Sequence, residues 1–173
     1  MSASARVLLF TGDGKGKTTA ALGLALRACG HGKRVTVVQF IKSNSSTGEL
    51  SAARNLPGLQ IIQTGRGFVP APSDSHFEKH KRAAQVGLAR ARELTTECDV
   101  LILDEICIAV AKGLLEESAV LSLMRSAPPT MIIVLTGRYA TPALVEVADT
   151  VTEMSCVKHG YRTGRAAQEG VEF

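Results

Sequence analysis

The strongest constraint on this chain lies near its start, where Arg6-Val-Leu-Leu-Phe-Thr-Gly-Asp-Gly-Lys-Gly-Lys-Thr-Thr-Ala-Ala-Leu-Gly runs over residues 6–23. An apolar run at residues 7–11 stops at glycines and turns into an alanine- and leucine-rich segment of helical character. The reading is strand, loop, helix. Gly12, Gly14 and Gly16 lack a Cβ, so the loop can take positive φ. Its amides can then converge on an anion where the helix beginning near Lys17 presents its positive dipole end. Phosphate is the natural guest. Lys17 reaches its oxygens as a point charge, and the Thr18 hydroxyl follows where loops of this kind hold Mg²⁺. A tight glycine turn with no ligand is the alternative. It is disfavoured because each glycine costs ~0.5–1 kcal/mol of chain entropy and neighbouring lysines repel.

At 173 residues the chain has room for one domain with a packed core, 1–173, and too little for two of ordinary size. Hydrophobic residues at 45% and charged ones at 21% belong to a globular protein, not a disordered one. The net charge of +4, from 20 basic and 16 acidic side chains, suits an anionic small molecule. No nucleic-acid partner is expected, since no dense basic stripe stands out and, without Trp, base-stacking platforms are scarce. Cys29, Cys98, Cys107 and Cys156 form no C-x-x-C pair, and the first three lie in or beside apolar segments, which reads as a reducing cytoplasm. No signal-like run begins the chain and no stretch approaches the ~20 residues that span a bilayer, so no membrane is expected.

Residues 18–30 carry Ala20, Ala21, Leu22, Leu24, Ala25, Leu26 and Ala28, apolar nearly all round, which predicts a helix well buried on a sheet. Gly30 and Gly32 stop it, and residues 35–41 form a second strand, completing a βαβ unit and hence a parallel sheet. Residues 42–48 are polar and leave that strand on the ligand side of an open α/β sheet, where they either line the site or form a solvated connection. Residues 59–63 read as a short strand and 64–72, rich in Gly and Pro, as an irregular loop at its carboxyl end. Residues 75–96 predict a long helix capped by Ser75. Its inner stripe is Ala83, Val86, Gly87, Ala89, Ala91 and Leu94, with a basic remainder that is solvated or steers anions.

Asp99-Val-Leu-Ile-Leu-Asp104-Glu105 is the second landmark. A buried parallel strand here delivers carboxylates at its carboxyl end, beside the phosphate loop, where Mg²⁺ needs oxygen ligands. Many strands end in Asp, so the signal gains its force from the N-terminal loop. Residues 106–112, 117–126 and 141–148 read as helices, 131–136 as a buried strand and 151–154 as a final strand, while 157–173 show no clear periodicity. Arg138, following Gly137, places a guanidinium at the same sheet edge; the alternative is a structural ion pair with a loop carboxylate. Helix and strand alternate throughout, which gives a single three-layer α/β domain, P-loop NTPase-like, with a mostly parallel, RecA-like sheet.

Against the generic G-x-x-x-x-G-K-[ST] pattern the first glycine arrives one residue late, because the position five before Gly16 is Thr11. That form of the loop is one of several segments by which the chain resembles the ATP:corrinoid adenosyltransferases of the P-loop type. The others are Gly30-His-Gly-Lys33, Gly65-Arg-Gly-Phe68, Leu103-Asp-Glu105, Thr136-Gly-Arg138, Ala148-Asp-Thr-Val-Thr-Glu153, Val157-Lys-His159 and the ending Gly170-Val-Glu-Phe173, so the resemblance spans nearly the full length. It implies a homodimer in which the doubly reduced cobalt of a corrinoid substrate attacks the 5′ carbon of ATP and triphosphate leaves. An electron-donating reductase such as a flavoprotein is implied as partner. The nucleophile then arrives with the substrate, and catalysis is positioning plus charge stabilisation on the leaving group.

The same resemblance implies that Gly12, Asp13, Gly14, Lys15, Gly16, Lys17, Thr18, Thr19 and Arg138 bind the nucleotide. Mg²⁺ (or Mn²⁺) would sit on Thr18 and Glu105 with Asp104 behind it. Lys17 and Phe68 would be the catalytic residues. In the family the loop matching residues 65–70 typically carries two aromatics that pack under the corrin and displace the base ligating cobalt; here Phe68 remains and Val69-Pro70 replaces the rest. A phenylalanine tucked into the core is the alternative for Phe68. Cys107 stands where asparagine is common, and the N-terminal extension that covers the site in some members is expected to be missing, with five residues before Arg6. Two rivals remain open: a P-loop ATPase or small-molecule kinase, which would cleave at the γ-phosphate, and a nucleotide-gated binding module without turnover.

Overall fold

The structure, a computed structural model, describes residues 4–172. Phe173, the last residue of the resemblance, lies outside them. Six strands, β1 (Arg6–Thr11), β2 (Val35–Gln39), β3 (Leu59–Gln63), β4 (Val100–Asp104), β5 (Ile132–Thr136) and β6 (Thr150–Glu153), form one sheet in the order β3-β2-β4-β5-β1-β6, and every pairing is parallel. Between them run α1 (Lys17–Gly30), α2 (Gly48–Ala53), α3 (Phe77–Leu94), α4 (Ile106–Ala111), α5 (Glu117–Ser126) and α6 (Pro142–Val147). A single 3₁₀ turn, Gly160–Thr163, interrupts the tail.

The central strands are apolar up to their last residues, Asp104 of β4 and Thr136 of β5, because both of their faces are covered. Alternate residues face opposite ways. Val100, Ile102 and Val134 pack with Ala21, Ala25 and Ala28 of α1, whereas Leu101, Leu103, Ile133 and Leu135 join Leu88 and Leu94 of α3 and Leu123 of α5. The small alanine stripe lets α1 lie close over the sheet. Apart from Lys17 at its start, only that stripe of α1 is buried; Leu26 is exposed and Leu22 and Leu24 are half-buried, so α1 is not enclosed all round as its composition predicts.

Other differences are local. Strand β2 stops at Gln39, two residues early, and Lys42–Gly48 leads into α2, a short helix of which periodicity gave no sign. Ser75 does not cap α3: the helix starts at Phe77, and Asp74 accepts from the His76 N–H at 2.7 Å in an Asx turn. The inner stripe of α3 is Phe77, Ala84, Gly87, Leu88, Ala91 and Leu94, with Val86 and Ala89 outside, a rotation of about one position from the predicted face. Gly87 earns its place because a Cβ there would lie 2.4 Å from Thr64 Oγ1.

Candidate active site

The carboxyl edge of the sheet gathers the chemistry. Between β1 and α1 the loop turns through Gly12 (φ +92°) and Gly16 (φ +115°), conformations that favour glycine. Close packing also demands glycine here, for a reason outside anion binding. A Cβ on Gly12 or Gly14 would stand 2.5 or 2.7 Å from the Met154 carbonyl oxygen, and the Gly14 N–H donates to that oxygen at 2.6 Å. The Gly14 amide is therefore committed to the segment after β6 and is not among the loop amides that can converge on an anion. On this side the cleft is lined by Lys15, Gly16, Lys17, Thr18 and Thr19, whereas Gly12, Asp13 and Gly14 do not line it.

Lys17 opens α1 with its side chain folded back over the loop: Nζ donates to Gly12 O at 2.7 Å and to Gly14 O at 2.6 Å, and the residue is 8% exposed. Burial lowers its pKa, opposed by the negative charge of Glu105. Thr18 Oγ1 donates to Asp104 Oδ1 at 2.7 Å, which joins the start of α1 to the end of β4 across the intervening β5. Asp104 is fully buried and also accepts from Thr136 Oγ1 at 2.8 Å and Gln39 Nε2 at 3.2 Å. Thr136 in turn accepts the Glu105 N–H at 2.9 Å, fixing the turn in which Glu105 takes φ +63°.

Glu105 is the exception among these satisfied groups. Its Oε2 is buried without a hydrogen-bond partner among the described residues. Burial and then the adjacent Asp104 raise its pKa, against the pull of Lys17, Lys42 and Arg138. Arg138 lines the cleft and stands 4.0 Å from Asp13 Oδ1, so the ion pair with a loop carboxylate and the position at the site edge coexist.

On the far wall, Phe68 is 92% exposed, whereas Val69 beside it is buried. Val69 anchors the loop and Phe68 projects into the cleft, so the core-packing alternative for Phe68 is excluded. Cys107 does not line the cleft. It is buried against Gly137, where an added Cβ would lie 2.9 Å from Cys107 Cβ, and burial pushes its thiol up to about 12. The whole cleft encloses about 830 Å³.

Several contributors escape sequence reasoning. Gln39 reads as one more strand residue, yet its amide links Asp104 to β3, accepting from Gln63 Nε2 at 2.9 Å. Glu49 escapes it too: Lys42, from the stretch that the sequence places either in the site or in solvent, donates to Glu49 Oε1 at 2.8 Å, and both line the cleft. Burial alone would raise the Glu49 pKa, but the bonds from Lys42, the backbone and Gln39 bring it below the usual carboxylate range. The tail, without periodicity, lays residues 170–172 along the cleft: Lys15 Nζ donates to Val171 O at 2.6 Å and lies 3.7 Å from Glu172 Oε1. The polar character of residues 42–48 and the small-residue tail were the available signals.

A glycine loop feeding a helix N-terminus, with a buried acid from a neighbouring strand bonded to the first helical hydroxyl, defines a nucleotide-binding α/β protein of the P-loop class. Solved structures agree on the fold. A flagellar accessory protein FlaH of Methanocaldococcus jannaschii superposes with a TM-score of 0.57 at 15% identity, covering 86% of this chain and 70% of that one. A KaiC-like protein of Pyrococcus horikoshii gives 0.51 at 16%, covering 87% and 71%. Within the class, the family model described as ATP:corrinoid adenosyltransferase BtuR/CobO/CobP matches residues 3–173, and the chain belongs to that family of enzymes. The corrinoid adenosyltransferase of Pseudomonas aeruginosa is 41% identical over 168 residues, covering 96% of this chain and 83% of the relative. Those of Escherichia coli K12 and Salmonella typhimurium are 36% and 37% identical, each covering 96% of this chain and 85% of the relative.

Proposed function

We propose that the chain transfers the 5′-deoxyadenosyl group of ATP to the reduced cobalt of a corrinoid and releases triphosphate. The observation that carries this reading is the juxtaposition in one cleft of phosphate-binding groups, Lys15 to Thr19 and Arg138, with an exposed aromatic, Phe68. A kinase or ATPase needs a side chain that orients an acceptor or water at the γ-phosphate. A reaction whose nucleophile is carried by the substrate needs only two docking surfaces at the right separation.

The Lys17 ammonium exchanges its two loop carbonyls for triphosphate oxygens and offsets the charge that develops on the leaving group. Arg138, partly exposed at the rim, adds a second cation. The donor set suits Mg²⁺ or Mn²⁺. Glu105 Oε2 is a buried oxygen without a partner, Thr18 supplies a hydroxyl, and Asp104 backs that hydroxyl as an acceptor. Such an ion takes one or two protein oxygens and completes its shell with substrate phosphates. When bound, the ion would neutralise triphosphate charge.

Phe68 presents an apolar ring to the corrinoid and excludes water from beneath it. The reading extends to a homodimer in the cytoplasm served by a flavoprotein-type reductase, supported by the family resemblance. Among the described residues no helix is long and apolar enough to cross a membrane. The test is anaerobic incubation with cob(I)alamin, ATP and Mg²⁺: the cobalt–carbon spectrum should appear with stoichiometric triphosphate. ADP as the product would overturn the assignment.

A further inference from the structure

We propose that the Lys42–Glu49 pair is the ribose-recognition element of the nucleotide site, with the Glu49 carboxylate accepting hydrogen bonds from the vicinal hydroxyls of ATP. The proposal rests on ATP being the adenosyl donor. If the triphosphate lies on Lys17 and Thr18 and the 5′ carbon faces a corrinoid at Phe68, the ribose must lie between these two points. The structure puts the pair there. Lys42 Nζ is 3.8 Å from Asp104 Oδ2, the carboxylate that holds Thr18. On its other side the Phe68 loop hangs from the same stretch, since the Gly67 N–H donates to Ile41 O at 2.7 Å.

The chemistry of the pair matches a diol. Lys42 Nζ and Gln39 Nε2 both approach Glu49 Oε1, at 2.8 and 3.4 Å, and no other residue among those described donates a hydrogen bond to Oε2. An ionised carboxylate is an acceptor only, and two vicinal hydroxyls are its natural donors; an acidic side chain plays this part toward the ribose in dinucleotide folds. Lys42 orients the carboxylate and offsets its charge, so that it does not repel the triphosphate nearby. The other cleft carboxylates are engaged differently. Glu105 Oε2 is buried beside the phosphate loop, and Glu172 accepts the Gln168 N–H and pairs with Lys15.

The test is calorimetric binding to the full chain, with Mg²⁺ and without corrinoid, of ATP, 2′,3′-dideoxy-ATP and inorganic triphosphate. The wild type should bind ATP about 10- to 100-fold tighter than the dideoxy analogue, the range for hydrogen bonds to a charged group. Glu49→Ala should lose that preference while its affinity for inorganic triphosphate does not fall. Helix α2 contributes no buried residue, so the substitution leaves the core intact. Glu49→Gln, which keeps one acceptor, should retain part of the preference. Equal binding of both nucleotides by the wild type, full discrimination by Glu49→Ala, or a parallel loss of inorganic triphosphate would each overturn the proposal. If the preference depends on Glu49 but no adenosylcorrinoid forms under any condition, the adenosyl-transfer reading fails and the ribose assignment stands.

Discussion

Replacing Phe68 by alanine should separate the folding role of this side chain from its role toward the corrinoid. The residue is 92% exposed. A phenylalanine side chain has about 200 Å² to bury, so the folded protein covers only about 16 Å² of it, worth about 0.4 kcal/mol at ~25 cal/mol per Å². For a domain of this size that lowers the melting midpoint by about 1–2 °C. Covering the whole ring with a corrin face, by contrast, is worth about 1.5–3 kcal/mol, or roughly 10- to 150-fold in rate if that contact is made when the lower cobalt ligand is displaced. The assay is adenosylation measured twice. From cob(II)alamin with a weak reductant, Phe68→Ala should lose the full factor; from chemically prereduced cob(I)alamin, which bypasses ligand displacement, it should lose a few-fold at most. Equal losses in the two assays, or a midpoint drop beyond about 5 °C, would refute the reasoning, because both require Phe68 to act through general packing.

Lys17→Ala should abolish turnover and remove the rise in melting midpoint on adding ATP. Because the ammonium braces Gly12 O and Gly14 O, the free protein should also lose stability, by about 1–3 kcal/mol in urea titration; a fully stable variant would contradict the bracing geometry. Glu105→Gln should lower the maximal rate and raise the Mg²⁺ requirement more than it weakens corrinoid binding, and a loss confined to corrinoid affinity would remove Glu105 from the metal site. Gly14→Ala should destabilise the fold even without nucleotide, by more than ~1 kcal/mol, since the new Cβ meets the Met154 carbonyl at 2.7 Å; unchanged stability on thermal melting would show that the loop and the segment after β6 part at little cost.

The class of fold, and the meeting of the glycine loop with the carboxylates of β4 at one sheet edge, were legible in the sequence because both rest on short-range patterns. Val7 to Thr11 followed by Gly12, Gly14, Gly16, Lys17 and Thr18 fixes a strand, a turn and a helix start within one local stretch. The apolar run ending in Asp104 and Glu105 places the carboxylates at a strand's carboxyl end whatever its neighbours are. Alternation of such units left few topologies other than a parallel sheet. What the sequence could not assign was which polar groups meet across the cleft. Gln39, Thr136 and Asp104 come from three different strands and form one network only because parallel pairing brings those strand ends to a common edge. The buried face of α3 lies about one position from the one its sequence predicts because Ala and Gly give a weak stripe, and the packing of Leu88 and Ala84 settles its rotation. Gly14 looked like an anion-binding amide, and only the return of the chain after β6 commits its N–H to Met154. Phe68 could have pointed either way; with Val69 next to it buried and the Gly67 N–H tied to Ile41 O, the bend at residues 67 and 68 leaves the ring outward.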